Sequence, residues 1–461
     1  MPTLSPTLFR EYDVRGVAGL DLTDDAVEVV AKALGTMVRE AGGARVVVGR
    51  DCRLSGPRLG ARAIAGLRAA GVDVVDLGVV PTPLTSFAAA TLDVQGVCMI
   101  TGSHNPPEYN GMKVAVGGAT LHGDGVQRLR RVAEAGRFAS GAGGLVAHDA
   151  VTPYREKVCE SLRMGPRRLK VVVDAGNGTG GVVAVPLLAS LGVEVVPLFV
   201  EPDGRFPNHH PDPSDEENLE ALRAKVLEVR ADAGIAYDGD ADRVAAVDDR
   251  GNVLRGDALL ILFARALLAE SPGAAVVAEV KCSMSLYEDV AKRGGRAIMW
   301  KAGHSIIRAK MKEEGALLAG EMSGHIFFAN RWYGFDDGIY ASARLLELLS
   351  HTDAPLSTLL DDVPETFASP EVRVACPEEL KLEVVRRAEA WFSARHDTVT
   401  VDGVRVTFPD GWGLVRASNT QPLLILRFEA RTAARLREID ALVRGKVLDL
   451  LRDVGAEGRA P

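Results

Sequence analysis

Apolar and polar positions along the chain fall into a unit that recurs three times. Arg45-Val-Val-Val-Gly49 is a short apolar run of strand character, Gly60 to Ala70 has helical spacing, and Gly71-Val-Asp-Val-Val-Asp76 is a second strand. Lys170-Val-Val-Val-Asp174, the helix Val182 to Leu191 and Gly192-Val-Glu-Val-Val196 repeat the order. Ala274-Ala-Val-Val-Ala278, Leu286 to Arg293 and Gly295-Arg-Ala-Ile-Met299 repeat it again. Each helix stops at a glycine, which takes the left-handed backbone of a helix C-cap without steric cost. Strand–helix–strand order predicts parallel pairing with right-handed crossovers. The last hundred or so residues change character: short alternating strands (Glu371 to Ala375, Gly403 to Phe408, Leu423 to Glu429) accompany two long helices. The pattern therefore predicts three similar α/β domains with mixed or parallel sheets and a C-terminal α+β domain around a central cleft.

Linker signals divide these units. Ser140-Gly-Ala-Gly-Gly144, the turn Asp249-Arg-Gly-Asn252, and His351-Thr-Asp-Ala-Pro355 with Val363-Pro364 suggest domains over 1–150, 151–252, 253–364 and 365–461. The first is expected to carry Ser103, the second an acidic loop, the third a Gly-rich loop and the fourth an anion loop. Phe9-Arg-Glu-Tyr-Asp-Val-Arg-Gly16 is too mixed for a regular strand and reads as an N-terminal extension bonded to the first sheet.

Polar stretches at strand ends carry the candidate chemistry. Gly96-Val-Cys-Met-Ile100 reads as a buried strand delivering Thr101-Gly-Ser-His-Asn-Pro106 into a loop that Pro106 and Pro107 keep from becoming helix. Gly102, lacking a Cβ, lets the backbone there approach a phosphate or take strained dihedrals. Ser103 is then a hydroxyl suited to repeated phosphorylation, although the six residues alone are equally a polar turn capping the next element. Adjacent residues of an extended chain point apart, so Ser103 and His104 are not read as a nucleophilic dyad. Asp238-Gly-Asp-Ala-Asp-Arg243 follows the strand Ala233-Gly-Ile-Ala-Tyr237 and sets three carboxylates at alternate positions. On a loop these can converge on one hard cation such as Mg²⁺; a solvated acidic turn is the alternative, and an EF-hand would need glycine where Arg243 stands. Gly320-Glu-Met-Ser-Gly-His325 places Glu321 and Ser323 to bond vicinal hydroxyls. Arg416-Ala-Ser-Asn-Thr420 joins a guanidinium to the side chains of Ser418, Asn419 and Thr420, a combination that suits phosphate. No GxSxG elbow, Walker A pattern or strand-linked GxGxxG occurs, so hydrolase, ATPase and dehydrogenase readings lack support.

The four loops, in this order and with Gln421-Pro422 after the last, resemble the signature loops of the α-D-phosphohexomutases, most closely the bacterial phosphomannomutase/phosphoglucomutase branch. The resemblance runs from Phe9 to beyond Pro422. It implies an isomerase that interconverts hexose 1- and 6-phosphates of mannose and glucose through phosphoserine 103 and a 1,6-bisphosphate. It implies Mg²⁺ held by Asp238, Asp240, Asp242 and Ser103, with glucose 1,6-bisphosphate as activator. His104, Lys113, Arg243, Arg15, His304 and His325 become catalytic candidates. Tyr12, Lys281, Glu321, Ser323, Arg416, Ser418, Asn419 and Thr420 become substrate contacts, Glu321 and Ser323 at the sugar 3- and 4-hydroxyls and Arg416 at the non-reacting phosphate. Met322, and Ser418-Asn-Thr-Gln421, favour the hexose branch over phosphoglucosamine mutase; a non-catalytic sugar-phosphate-binding protein is a further alternative that would need neither the serine nor the aspartates.

Bulk properties add exclusions. A net charge of −8 argues against a nucleic-acid partner, so substrate phosphates need local cations. No apolar run reaches membrane-spanning length, and Arg265 interrupts Ala258 to Ala269. Five scattered cysteines without CxxC spacing fit reduced thiols, and Met-Pro-Thr-Leu-Ser5 does not begin a signal peptide, so a cytoplasmic location with no membrane partner is expected; the resemblance implies a monomer or weak homodimer.

Overall fold

The valine triplets that open the repeats form the middles of sheets. A computed structural model of the protein describes residues 4–418 and 421–455. In it Arg45–Arg50, Lys170–Asp174 and Ala275–Glu279 are strands buried over most of their length, as strands covered on both faces must be. Each is followed by a helix (Gly56–Ala69, Gly181–Ser190, Met284–Lys292) and then a parallel partner (Asp73–Val79, Glu194–Leu198, Arg296–Trp300). The chain leaves the helices at glycines of positive φ: Gly71, Gly192 and Gly294. All three units are thus built as the pattern predicts.

The first sheet has seven strands and is mixed. Gly96–Ile100 lies between Arg45–Arg50, parallel to it, and Tyr109–Val116, antiparallel. The N-terminal stretch differs from its reading: Val14–Val17 is a regular edge strand, antiparallel to Tyr109–Val116, and only Phe9 to Asp13 is irregular. The ladder to a neighbouring strand, which periodicity cannot report, supplies that order. The second and third sheets have five and four strands, and the fourth has six, antiparallel at every pair.

One hydrophobic cluster runs through the first three units, from Val47 and Leu84 through Val171 and Ile235 to Val276 and Tyr340. The fourth has its own, between its sheet and the helices Lys381–Ser393 and Ala433–Asp453. No described helix is long and apolar enough to cross a membrane.

Candidate active site

Loop Thr101 to Pro106 owes its shape to side chains fifty residues upstream. Asp51 accepts from Thr101 Oγ1 (2.8 Å) and Gly102 N–H (3.1 Å), and Thr101 Oγ1 accepts from Ser103 N–H. Arg53, wholly buried, donates to the carbonyls of Ser103, Asn105, Pro106 and Tyr109 and to Asp51. Two expectations change here. The residue in the left-handed region is Ser103 itself (φ +49), not Gly102. Gly102 is needed because Arg53 Nε lies 2.4 Å from where a Cβ would stand. The same turn brings Ser103 Oγ within 3.3 Å of His104 Nδ1, so the two side chains do not point apart. Burial, then the charge of Arg243, holds the His104 imidazole well below its usual range and therefore neutral.

The acidic loop meets this one directly. Asp238, Asp240 and Asp242 are fully buried between the antiparallel strands Ala233–Tyr237 and Val244–Asp248. Their ligand atoms lie within 4.8 Å of one another, so the group can hold a metal ion. Ser103 Oγ donates to Asp238 Oδ2 at 2.7 Å, and Thr82 Oγ1 to Asp240 Oδ2. Lys113 Nζ donates to Asp240 Oδ2 (2.7 Å) and to Asp242 Oδ2. Burial, then Asp240 and Asp242, pushes Asp238 above the carboxylate range. Burial also opposes the charges on Asp240, Asp242 and Lys113, but the Lys113 contacts prevail, lowering both carboxyls and raising the amine. Asp240 Oδ1 and Asp242 Oδ1 are buried without a hydrogen-bond partner among the described residues. Buried carboxylate oxygens left open beside a serine hydroxyl are the donor set a hard divalent cation takes.

Arg243 and His325 pair as an isolated antiparallel bridge, and Arg243 Nε donates to His325 Nε2 at 2.9 Å. Because a guanidinium only donates, the His325 proton sits on Nδ1, 3.0 Å from Asp336 Oδ2. His304 stacks on His325 (centroids 5.1 Å apart), with Nδ1 3.4 Å from the same carboxylate. Asp336 thus faces both imidazoles; sequence reasoning missed it, although the paired Asp336-Asp337 before the helix Gly338–Ser350 was a signal. Asp337 caps that helix through Tyr340 N–H and accepts from Tyr154 and Trp332; burial pushes it up to about 7.

Tyr12, Arg15, Ser103, His104, Lys113, Arg243, His304 and His325 line one cavity of about 490 Å³. Arg373, from the fourth sheet, lines it too and was not foreseen. Arg15 bonds Asn105 and Asp13. The loop Gly320 to His325 reaches the cavity through Ala302-Gly303: Tyr12 donates to Ala302 O (2.9 Å), and Gly303 N–H donates to Glu321 Oε1 (2.5 Å). Ser323 is half-buried in that loop. Behind it Glu279, missed in the sequence, accepts from Met322 N–H and lies 3.7 Å from Lys281; burial raises it to about 7.

Arg416 ends the strand Gly411–Ala417 and faces Asp402 at 3.0 Å, while Asp402 also accepts from Ala302 N–H. Ser418 is buried and its carbonyl accepts from Lys381. Asn419 and Thr420 lie outside the described residues.

Comparison with known proteins agrees with this geometry. Family models described as phosphoglucomutase/phosphomannomutase match in order: alpha/beta/alpha domain I over residues 6–140, domain II over 152–251, domain III over 255–367 and the C-terminal domain over 371–446. The chain is 46% identical over 449 residues to a phosphomannomutase/phosphoglucomutase of Pseudomonas aeruginosa, covering 97% of this chain and 96% of that one. It is 45% identical over 446 residues to a phosphoglucomutase of Neisseria gonorrhoeae, covering 95% and 96%. A crystal structure of a phosphoglucomutase/phosphomannomutase family protein from Burkholderia thailandensis superposes with a TM-score of 0.93 at 43% identity, covering both chains fully. Four family models in order along the chain, on four sheets whose loops converge, leave one assignment: the chain belongs to the phosphoglucomutase/phosphomannomutase family of α-D-phosphohexomutases.

Proposed function

We propose that this mutase interconverts the 1- and 6-phosphates of glucose and mannose, with Ser103 as the residue that carries phosphate between turnovers. The observation that carries the reading is the contact between Ser103 Oγ and Asp238 (2.7 Å), in a loop wedged against three buried carboxylates at one end of a cavity lined by Arg15, Lys113 and Arg243. A sugar phosphate and a phosphoserine each carry roughly −1.5 to −2 charge, and those cations lower their repulsion. Asp238, Asp240, Asp242 and Ser103 would hold Mg²⁺, whose chemistry when bound is to offset charge on the phosphoryl group in transfer.

In the forward direction phosphoserine 103 donates to the free hydroxyl of the hexose phosphate. A base must take the hydroxyl proton, and the imidazoles of His104 and His304, which burial keeps neutral, are the candidates, while His325, whose Nε2 accepts from Arg243, would hold that guanidinium in place. Glu321 and Ser323 orient the sugar at its 3- and 4-hydroxyls, with Tyr12 supporting the loop beneath. Arg416, Ser418, Asn419, Thr420 and Lys281 hold the phosphate that does not react. One serine cannot reach both ends of a bound hexose, so a 1,6-bisphosphate must form and turn over before the second transfer. Glucose 1,6-bisphosphate supplied from outside would prime enzyme that lacks the serine phosphate, acting as activator. The division at 150, 252 and 364 gives each domain one loop of the site. Free thiols at all five cysteines fit a cytoplasmic enzyme, which is expected to be monomeric or weakly dimeric. Phosphoglucosamine mutase activity gains no observation in its favour.

Intact mass of the purified enzyme before and after phosphatase, and after glucose 1,6-bisphosphate, tests the reading. One phosphate is expected to leave and return, and Ser103→Ala is expected to carry none. Phosphate on another residue would overturn it.

A further inference from the structure

The fourth sheet meets the third unit through one of its faces. Pairing aligns Arg405 with Leu414 and Arg427, and Trp412 with Glu429, so that these residues and Arg416, two places on from Leu414, share that face. Against it lies the loop that follows the strand Ala275–Glu279. Val280 packs on Trp412 and Leu414. Arg405, only 3% exposed, donates to the carbonyls of Val280 (2.5 Å) and Cys282 (2.9 Å), the residues on either side of Lys281. Its guanidinium stacks over Trp412, 3.8 Å from the ring centroid. Glu429 accepts from Ser283 Oγ (2.6 Å), Met284 N–H and Trp412 Nε1. Glu371, also of the fourth sheet's unit, lies 3.9 Å from the Lys281 ammonium.

A guanidinium buried on carbonyls, with no carboxylate in ion-pair contact among the described residues, costs folding free energy that an apolar side chain would avoid. What it achieves is positional. Lys281 is a point charge on a flexible stem, and pinning both flanking peptides confines the volume its ammonium can reach. We propose that Arg405 is a positioning residue for Lys281: the fourth domain, together with the third to which Lys281 belongs by sequence, sets where that lysine stands relative to Arg416. Glu429 completes the clasp at Ser283 and Met284. Lys281 would then be set against Arg416 only while the fourth domain is seated on the third. The inference rests on the proposed reading that Lys281 contacts substrate phosphate.

A double-mutant cycle on the full chain separates the two. Steady-state kinetics with glucose 1-phosphate would be measured for Lys281→Ala, Arg405→Met, Arg405→Lys and the Lys281→Ala/Arg405→Met pair. Arg405→Met is expected to raise KM about tenfold, the scale of coupling between neighbouring residues, with kcat nearly unchanged because the contact serves ground and transition states alike. Arg405→Lys should restore part of the loss, and Arg405→Met should add nothing once Lys281 is alanine. Equal effects of Arg405→Met in both backgrounds, or a fall in kcat with KM unmoved, would overturn the positioning role. An unchanged KM in Lys281→Ala would instead overturn the reading of Lys281 beneath it. Should Arg405→Met not fold, Glu429→Gln takes its place in the cycle with the same outcomes.

Discussion

Ser103 and Arg416 would each handle one phosphate of the same sugar, yet their surroundings are built on opposite plans. The Ser103 loop is bonded at nearly every residue by Asp51 and Arg53, touches the acidic loop of the second unit, and belongs to a unit that, besides a core of its own, shares a hydrophobic cluster with the second and third. Arg416 sits on a sheet with a core of its own, joined to the third unit by a small apolar cluster, a clasp of polar contacts and the Asp402 bridge. An interface of that kind separates at far lower cost than a shared core. The difference fits the proposed tasks: transfer of phosphate needs fixed geometry, while turning a bisphosphate around needs one wall of the cleft to give way without releasing it.

Substitutions at the two ends should therefore differ in kind as well as size. Ser103→Ala is expected to keep its fold and lose at least about a thousandfold in kcat, as removal of a covalent nucleophile does; thermal melting and steady-state assay together check both halves. Asp240→Asn, or chelation by EDTA, should lower kcat by roughly a hundredfold, the scale of losing a preorganised charge, and shift KM little. If EDTA leaves the rate unchanged, the carboxylates do not serve a metal. At the other end Arg416→Met should raise KM roughly ten- to a hundredfold, the worth of one hydrogen bond to a charged group, with kcat less affected. A kcat-dominated loss there would erase the contrast between the two ends.

A smaller effect concerns pH. Glu279, behind the loop Gly320 to His325, is raised to about 7 by burial, so its neutral form is the one the fold favours. The stability this contributes is full below the unfolded carboxyl range near 4 and is lost as pH rises through 7. Glu279→Gln should flatten that part of the stability–pH curve, measured by urea unfolding. Smallest of all should be the response to the sugar's 2-hydroxyl. With Glu321 and Ser323 proposed at the 3- and 4-hydroxyls, glucose and mannose 1-phosphates should have specificity constants within about two orders of magnitude.

Much of this was legible because it is local. Gly96–Ile100 has the bounds its apolar run predicts, the three repeated units pair in parallel as their order requires, and alternate aspartates converge on one point. What was not legible lies far apart in sequence. Nothing near Arg53 says that it will grip residues 103 to 109, and nothing near Asp336 says that it will face two histidines. Gly411–Ala417, the strand that presents Arg416, hides for another reason. Gly411 and Gly413 interrupt its apolar pattern, and they are small because Ile439 and Val443 of the last helix stand 2.6 and 2.9 Å from where their Cβ atoms would be.

The account stands or falls on where phosphate goes. Enzyme carrying radiolabelled phosphate on Ser103, given unlabelled glucose 1-phosphate for a single turnover, should pass its label to the 6-position of the product and regain unlabelled phosphate at the serine. Label that stayed on the protein through that turnover, or left as inorganic phosphate at the rate of product formation, would contradict it.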